Sequence, residues 1–134
     1  MPNLLESFFG YADGDIHSTW NLSSADWDIF DPSDELVSFR GVCIGRSMKN
    51  ITEYSALIEL LSDAIACGIH QLIVRLDSQL VILQLTGTYP TIYHMFLRVR
   101  ILERKFDSIK YQHISRNLNT LIDSLVNHVL DRHL

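Results

Sequence analysis

A short apolar run near the middle of the chain constrains the fold more than any other feature. The run, Gln71 to Leu76, lies between segments whose apolar residues recur at helical spacing. The run is too short for a helix of ordinary length, and strands buried on both faces have this near-continuous apolar pattern. We therefore predict a strand that is covered on both sides by helices, which places the chain in the α/β class.

Helical periodicity before and after this strand predicts four helices. The first ends at Gly68, and its apolar face consists of Tyr54, Leu57, Ile58, Leu61, Ala64 and Ile65. A short helix over Ser78 to Leu85 follows, and another begins near Pro90 and reaches about Phe106. A last amphipathic helix has its apolar face at Leu118, Leu121, Ile122, Leu125 and Val129.

The first third of the chain reads as strands and turns. Leu4 to Ala12 is apolar and aromatic, and Asp13 to Asp15 is a turn signal. Trp27 to Phe30 and Leu36 to Ile44 predict the next two strands of an antiparallel meander, and Ser108 to Ile114 predicts a later one. The element order is therefore βββαβααβα, which favours a mixed five-stranded sheet with helices on both faces.

The composition is that of an ordinary globular domain. We expect residues 1–134 to form one domain, because 47% of them are hydrophobic and 20% are charged. No apolar run approaches the roughly 18 residues that span a bilayer, so no membrane partner is expected. Cys43 and Cys67 lack ligand spacing and are interpreted as reduced, buried small hydrophobes of an intracellular protein, cytoplasmic or nuclear.

Four acidic residues carry the functional hypothesis, and each lies where a strand or helix would bring it to one shared point. They are Asp13, Glu53, Asp77 and Asp123. Carboxylates that share a site raise one another's pKa unless a positive charge holds them together. A pair of divalent ions is the common solution, and such a cage suits in-line displacement at a phosphodiester. The four acids therefore suggest a nuclease.

The net charge of −5 argues against a simple basic nucleic-acid binder. If the four acids hold metal ions, −5 + 4 leaves −1 for the remainder of the chain. The acidic balance therefore weakens the nuclease hypothesis only modestly.

Three ordered motifs resemble the type I ribonuclease H family, in particular the domains carried beside reverse transcriptases in plant retroelements. Asn50-x-x-Glu53-Tyr54-x-Ala56-Leu57-Ile58 is similar to the family's N-x-A-E-Y-x-A-L-I. Leu76-Asp77-Ser78-Gln79-Leu80-Val81 resembles its fourth-strand aspartate segment, and His113-x-x-Arg116-x-x-Asn119-x-x-x-Asp123-x-Leu125 resembles its ending. Asp13-Gly14 resembles the family's D-G-S, with Asp15 in place of the serine.

The resemblance implies an endoribonuclease that hydrolyses the RNA strand of RNA–DNA hybrids with two Mg²⁺ ions, for which Mn²⁺ can substitute. One ion would be held by Asp13 and Asp123 and would activate water. The other would be held by Asp13, Glu53 and Asp77 and would stabilise the leaving 3′-oxygen. His113 matches a histidine that assists proton transfer or product release in relatives.

Substrate contacts are expected around the predicted metal site. Relatives have Thr-Asn where this chain has Met48 and Lys49, at positions that help to bind the substrate backbone. Five residues are the expected substrate contacts: Gly14, Arg46, Lys49, Asn50 and Ser78. A further basic stretch, residues 98–110, could contact DNA phosphates, although a solvated face neutralised by its own acids is slightly favoured.

Each acid also has a plainer interpretation. Asp13 before Gly14 could form a turn, Glu53 and Asp123 could favour helix dipoles, and Asp77 with Ser78 could cap a helix. Three functions stay open: the ribonuclease H activity, a catalytically weakened binding or structural module of a retroelement, and a nuclease of this fold that acts on DNA. A reverse transcriptase would be a partner if the chain belongs to a polyprotein.

Overall fold

The computed structural model describes residues 6–17, 22–46, 48–87 and 93–133, with side chains for 6–16, 22–46, 48–87 and 94–126. The elements in these ranges follow the predicted order βββαβααβα, which is confirmed. They are β1 (Phe8–His17), β2 (Leu22–Phe30), β3 (Leu36–Gly45), α1 (Lys49–Ala66), β4 (Gln71–Leu76), α2 (Gln79–Leu85), α3 (Tyr93–Glu103), β5 (Ser108–His113) and α4 (Arg116–His133).

The strands form one mixed sheet, as predicted, in the order β3-β2-β1-β4-β5. β1, β2 and β3 make an antiparallel meander, whereas β1, β4 and β5 run parallel. β1 is the central strand, with the meander on one side and the parallel strands on the other. Functional groups in such sheets collect at the carboxyl ends of the parallel strands, next to the point where the strand order changes.

The core lies between the sheet and α1. Tyr54, Leu57, Leu60 and Leu61 of α1 are fully buried, and each such side chain stabilises the fold by roughly 1.5–3 kcal/mol. Gly10 of β1 lies beneath Leu60, where an added Cβ would stand 2.9 Å from both terminal methyl groups. A larger residue at position 10 would therefore require the end of the Leu60 side chain to shift.

Buried polar side chains fix the orientation of α1. Asp63 Oδ2 accepts hydrogen bonds from Trp27 Nε1 at 2.9 Å and from Ser38 Oγ at 2.6 Å. The Tyr54 hydroxyl donates to Gln84 Oε1 of α2 at 2.7 Å. These bonds join α1 to β2, β3 and α2, so they also fix the N-terminal turns of the helix, which carry Glu53.

The opposite face of the sheet is aromatic and partly covered by α4. The Arg75 guanidinium carbon lies 4.5 Å from the centre of the Phe9 ring, and Nη1 donates to the Tyr11 hydroxyl at 2.7 Å. Ile122 and Leu125 of α4 line a groove over this face. Among the helices described, none is long and apolar enough to cross a bilayer.

Several local predictions are wrong. β1 does not turn at Asp13 but continues to His17, because β2 pairs with it throughout and Asp13 lies opposite Asp26. Cys43 and Cys67 are unpaired but exposed rather than buried, since one lies on the edge strand β3 and the other caps α1.

The ends of several predicted elements also differ. β2 begins at Leu22, five residues before the strand predicted over Trp27 to Phe30. α3 ends at Glu103 rather than near Phe106, and its predicted start near Pro90 lies outside the described residues. β5 ends at His113, one residue before the predicted end.

Candidate metal centre

Two of the candidate acids meet because β1 extends beyond the end of β4. The parallel register pairs Ala12 with Leu76, the last residue of β4. Asp13 and Asp77 are the next residues on the two chains, and they therefore lie side by side at the carboxyl end of β4. Asp13 lies inside a strand, so the interpretation that it only forms a turn is wrong.

Glu53 reaches the same point from α1, and Gly14 makes this approach possible. A Cβ at Gly14 would stand 2.6 Å from the Thr52 carbonyl carbon and 2.7 Å from the Glu53 nitrogen. The Gly14 N–H instead donates a hydrogen bond to the Glu53 carboxylate. Glu53 is the fifth residue of α1, outside the first turn, so a stabilising effect on the helix dipole does not explain it.

The three side chains form a group that fits a divalent cation. One carboxylate oxygen from each of Asp13, Glu53 and Asp77 lies within 4.8 Å of the other two. Glu53 is 3% exposed, and its Oε1 is buried with no hydrogen-bond partner among the described residues. An unpartnered buried carboxylate oxygen is costly unless a cation balances it, and oxygen-only donors suit Mg²⁺, Mn²⁺ or Ca²⁺.

The raised pKa values of two carboxyls in the group also indicate that a positive charge is needed to keep all three ionised. Burial and, after it, repulsion by Asp77 raise the pKa of Asp13 to about 7, against a smaller lowering by Arg116. Burial, Asp77 and Asp13 raise the pKa of Glu53 to about 7, although the Gly14 hydrogen bond and Lys49 lower it. A bound divalent ion would reverse these shifts, because it favours the ionised form of every carboxylate around it.

Asp123 lies beside the group rather than within it. It is absent from the set of mutually close oxygens, yet its charge raises the pKa of Asp13. It is the eighth residue of α4, so the alternative that it serves the helix dipole from an early turn is wrong. The structure thus brings three of the four predicted acids to one point and places the fourth at its edge.

Asp26 and Asp28 of β2 add further acidity on the side of Asp123. Burial and then Asp26 raise the pKa of Asp123 to about 6. Asp28 is 1% exposed, and its Oδ1 has no hydrogen-bond partner among the described residues. Burial, followed by Asp123 and Asp26, raises the pKa of Asp28 to about 8.

Two residues of α4 contact the acids directly, and the sequence analysis assigned neither of them a role. Arg116 Nη1 lies 3.3 Å from Asp13 Oδ1 and 3.2 Å from Asp77 Oδ2, and its Nη2 lies 3.7 Å from Asp15 Oδ1. Asn119 is 2% exposed and donates from Nδ2 to Asp77 Oδ2 at 3.1 Å. The available signal was their spacing: Arg116, Asn119 and Asp123 recur at intervals of three and four, on one helical face.

His113 and Ser78 flank Asp77. His113 is exposed at the end of β5, and its Nε2 donates to the Asp77 carbonyl oxygen at 3.3 Å. Ser78 caps α2, where its Oγ accepts a hydrogen bond from the Val81 N–H at 3.3 Å. The capping interpretation therefore holds for Ser78, whereas the Asp77 carboxylate is directed to Arg116 and Asn119.

The remaining expected substrate contacts lie around the start of α1. Lys49 is exposed and Asn50 is half-buried, at the first two positions of the helix, and Arg46 is exposed just after β3. Lys49 is close enough to the acidic group for its charge to lower the pKa of Glu53.

The basic stretch lies elsewhere. Arg100 pairs with Glu103 at 2.7 Å, and its guanidinium carbon lies 4.5 Å from the Phe96 ring centre. Arg104 and Lys105 precede β5, whereas the acids lie beyond the carboxyl ends of β4 and β5. The charge of Arg100 is therefore neutralised by an acid of its own helix. This agrees with the interpretation that the basic stretch is a solvent-exposed face balanced by its own acids.

The matching family profile is described as "Reverse transcriptase-like" and covers residues 11–129. A ribonuclease HI of Halobacterium salinarum is 34% identical over 125 residues, which make up 90% of this chain and 63% of that protein. A bifunctional protein of Mycobacterium tuberculosis is 34% identical over 92 residues, 66% of this chain and 25% of that protein. The chain thus spans less than two thirds of the length of these relatives.

Solved structures agree with the sequence matches. The crystal structure of ribonuclease H1 from Halobacterium salinarum superimposes with a TM-score of 0.81 at 32% identity, covering 94% of this chain and 98% of that one. LC11-RNase H1 in complex with an RNA/DNA hybrid superimposes with a TM-score of 0.79 at 26% identity, covering 95% and 99%. The fold, the acidic group and these matches together lead to one conclusion: the chain belongs to the ribonuclease H family.

Proposed function

We propose that this protein is a metal-dependent endoribonuclease that hydrolyses the RNA strand of RNA–DNA hybrids. The observation that carries the proposal is the group of Asp13, Glu53 and Asp77, whose oxygens lie within 4.8 Å of one another at the end of β4. The hybrid bound to LC11-RNase H1, a relative of the same fold, supports the choice of substrate.

Two Mg²⁺ ions are the proposed cofactors, with Mn²⁺ as a substitute. When bound, they supply an activated water and charge stabilisation at the scissile phosphate. Asp13, Glu53 and Asp77 would hold one ion, and Asp13 with Asp123 the other. Glu53 Oε1, which is buried and has no hydrogen-bond partner in the described part of the chain, supports the first set, and the proximity of Asp123 to Asp13 supports the second.

His113 is the proposed proton carrier. Its ring is exposed at the rim of the group, and its Nε2 is held 3.3 Å from the carbonyl oxygen of Asp77. An imidazole has two ring nitrogens, so it can take up a proton at one and release a proton to solvent from the other.

Backbone contacts to the hybrid would come from Arg46, Lys49 and Asn50, with Gly14 and Ser78 beside the acids. The exposed cations Arg46 and Lys49 suit phosphates, and Asn50 supplies a neutral donor. RNA would be distinguished by its 2′-hydroxyl groups across a wide minor groove.

Two further expectations join the proposal. The profile match to a reverse transcriptase-like family supports a retroelement origin and a reverse transcriptase as partner. The unpaired, exposed thiols of Cys43 and Cys67 suit a reducing intracellular compartment, either cytoplasm or nucleus.

A matched pair of variants on α1 tests the activity. Glu53→Gln removes a carboxylate of the group, whereas Glu59→Gln removes an exposed carboxylate from the same helix. With Mg²⁺ and a labelled hybrid, we expect Glu53→Gln to reduce the cleavage rate at least about 100-fold and Glu59→Gln to leave it nearly unchanged, since a lost metal ligand removes transition-state charge stabilisation. Asp13→Asn should be at least as damaging.

The same assay separates the competing functions. Cleavage of double-stranded DNA in preference to the hybrid would indicate a DNA nuclease of this fold. Binding of the hybrid without cleavage by the unmodified protein would indicate a catalytically weakened module. Equal activity of Glu53→Gln and Glu59→Gln would contradict the proposed site.

A further inference from the structure

The guanidinium of Arg116 lies against the carboxylates that form the proposed metal site. Its Nη1 is 3.3 Å from Asp13 Oδ1 and 3.2 Å from Asp77 Oδ2. These two residues belong to the group of three whose oxygens lie within 4.8 Å of one another. The guanidinium of Arg116, a cation of the protein itself, thus contacts the carboxylates that are expected to bind a metal ion.

The two kinds of cation compete for the same ligands. A carboxylate oxygen that accepts a guanidinium hydrogen bond loses part of its attraction for a metal ion, and the nearby guanidinium charge repels the ion directly. Without either cation, these three closely spaced carboxylates would repel one another. Arg116 therefore stabilises the metal-free arrangement and opposes metal binding for the same electrostatic reason.

Asp77 is contacted by both Arg116 and Asn119, and the exposure of these two side chains indicates which contact a metal ion can displace. The Arg116 side chain is 49% exposed and stands at the first residue of α4, where its guanidinium has solvent on one side. Asn119 contacts the same Asp77 oxygen, but it is 2% exposed and fixed in the core. Asn119 can orient Asp77 in both states, whereas Arg116 can leave.

We propose that Arg116 is the resident counter-cation of the metal centre: it neutralises Asp13 and Asp77 in the metal-free protein and is displaced when a divalent ion binds. Arg116 thereby lowers the affinity of the site for the ion. The inference rests on the metal site of the proposed function, and it concerns the metal-free protein rather than the cleavage step.

Calorimetric titration of the protein with Mn²⁺, without nucleic acid and at pH 8, tests the inference. At that pH, Asp13 and Glu53, each with a pKa of about 7, are mostly ionised. We expect Arg116→Gln to bind Mn²⁺ about three- to tenfold more tightly than the unmodified protein, since a half-exposed ion pair opposes binding by a factor of this order.

Arg104→Gln is the control, because it removes the same charge at the far end of the six-residue strand β5, roughly 20 Å away. It should leave the Mn²⁺ affinity unchanged within about twofold, because salt largely screens the interaction between charges at this distance. Arg116→Lys is the milder variant: a compact ammonium satisfies fewer carboxylate oxygens, so its affinity should fall between those of the unmodified protein and Arg116→Gln. Circular dichroism and thermal unfolding verify that each variant is folded.

The outcomes separate this inference from the proposed function. An Mn²⁺ affinity of Arg116→Gln equal to that of Arg104→Gln, or weaker, would overturn the inference and leave hybrid cleavage untouched. If neither the unmodified protein nor Arg116→Gln binds Mn²⁺, the inference and the proposed metal site fail together. Tighter binding by Arg116→Gln than by both Arg116→Lys and the unmodified protein supports it.

Discussion

Burial makes individual carboxylates of this protein behave as weak acids. The pKa values of Asp13 and Glu53 are raised to about 7, that of Asp123 to about 6 and that of Asp28 to about 8. In each case burial is the largest cause, and neighbouring carboxylates add to it. The folded protein therefore binds protons that the unfolded chain releases.

The metal-free protein should lose stability as the pH rises. Between about pH 4 and pH 8 the folded state holds more protons on these acids than the unfolded state, so the free energy of unfolding decreases with increasing pH. We expect it to be larger at pH 5.5 than at pH 8 by at least about 1 kcal/mol. Urea unfolding in the presence of EDTA measures this difference.

Two controls accompany the pH series. Glu53→Gln should flatten the dependence, because it removes one raised carboxyl, and Mg²⁺ should restore stability at pH 8. A free energy of unfolding that is independent of pH, or increases toward pH 8, would contradict the assigned pKa values.

Asp28 should be replaceable with a gain in stability. Asp28→Asn keeps the shape of the side chain but removes a buried charge whose Oδ1 has no hydrogen-bond partner among the described residues. At pH 9 we expect the free energy of unfolding of the metal-free protein to rise by roughly 1–3 kcal/mol, with little change at pH 5. The exposed Asp107→Asn is the control, and a loss of stability at pH 9 would indicate that Asp28 has an essential charged role.

At the scale of elements, the site depends on how closely α1 approaches β1 and on which face of α4 is turned inward. The motif spacing in the sequence is enough to place Arg116, Asn119 and Asp123 on one face of a helix. It does not reveal that this face meets Asp13 and Asp77, because that contact depends on where α4 crosses the sheet. Once the predicted meeting of Asp123 with Asp13 is accepted, however, the same spacing places Arg116 beside the acids.

Element ends were predicted less well than element identities. The turn signal Asp13 to Asp15 was overridden by pairing with β2, which continues along β1 to His17. Local preference for a turn is weak compared with a ladder of strand hydrogen bonds and a buried face, and only the three-dimensional partner decides between them.

Gly14→Ala should separate α1 from β1. The added Cβ would lie 2.6 Å from the Thr52 carbonyl carbon, which is backbone and cannot rotate away. We expect urea unfolding to show a loss of roughly 2 kcal/mol or more, and hybrid cleavage to fall because Glu53 moves. Gly10→Ala, which meets only the flexible end of Leu60, is the control, and an equal or smaller effect of Gly14→Ala would contradict this role.

At the scale of the whole molecule, the net charge of −5 means that an approaching phosphate backbone is repelled unless cations compensate the charge locally. The mixed character of the sheet could be predicted from the element sequence, since parallel strands need crossover helices and the first three strands suit a meander. The meeting of Asp13, Glu53 and Asp77 was foreseen from strand ends and family motifs together. Neither indicated that Cys43 and Cys67 would be exposed, because exposure depends on which strand lies at the edge.

Hybrid affinity should depend on divalent ions more than on ionic strength alone. Without an ion, the acidic group faces the phosphate backbone and repels it, at about 1 kcal/mol for each close pair in water. We expect EDTA to weaken binding of a non-cleavable hybrid about tenfold or more in fluorescence anisotropy. Samples with Mg²⁺ replaced by NaCl at equal ionic strength provide the control, and equal affinity with and without Mg²⁺ would contradict the expectation.

The unequal lengths of two neighbouring strands determine where chemistry can occur in this fold. β4 ends at Leu76 opposite Ala12, but β1 continues to His17. Beyond that point β1 has no β4 partner, and the Gly14 N–H bonds to the Glu53 carboxylate instead of to a strand. The length of β4 thus determines which groups of β1 are available to the site: one more paired residue would extend the ladder to Asp13, and two would extend it to Gly14.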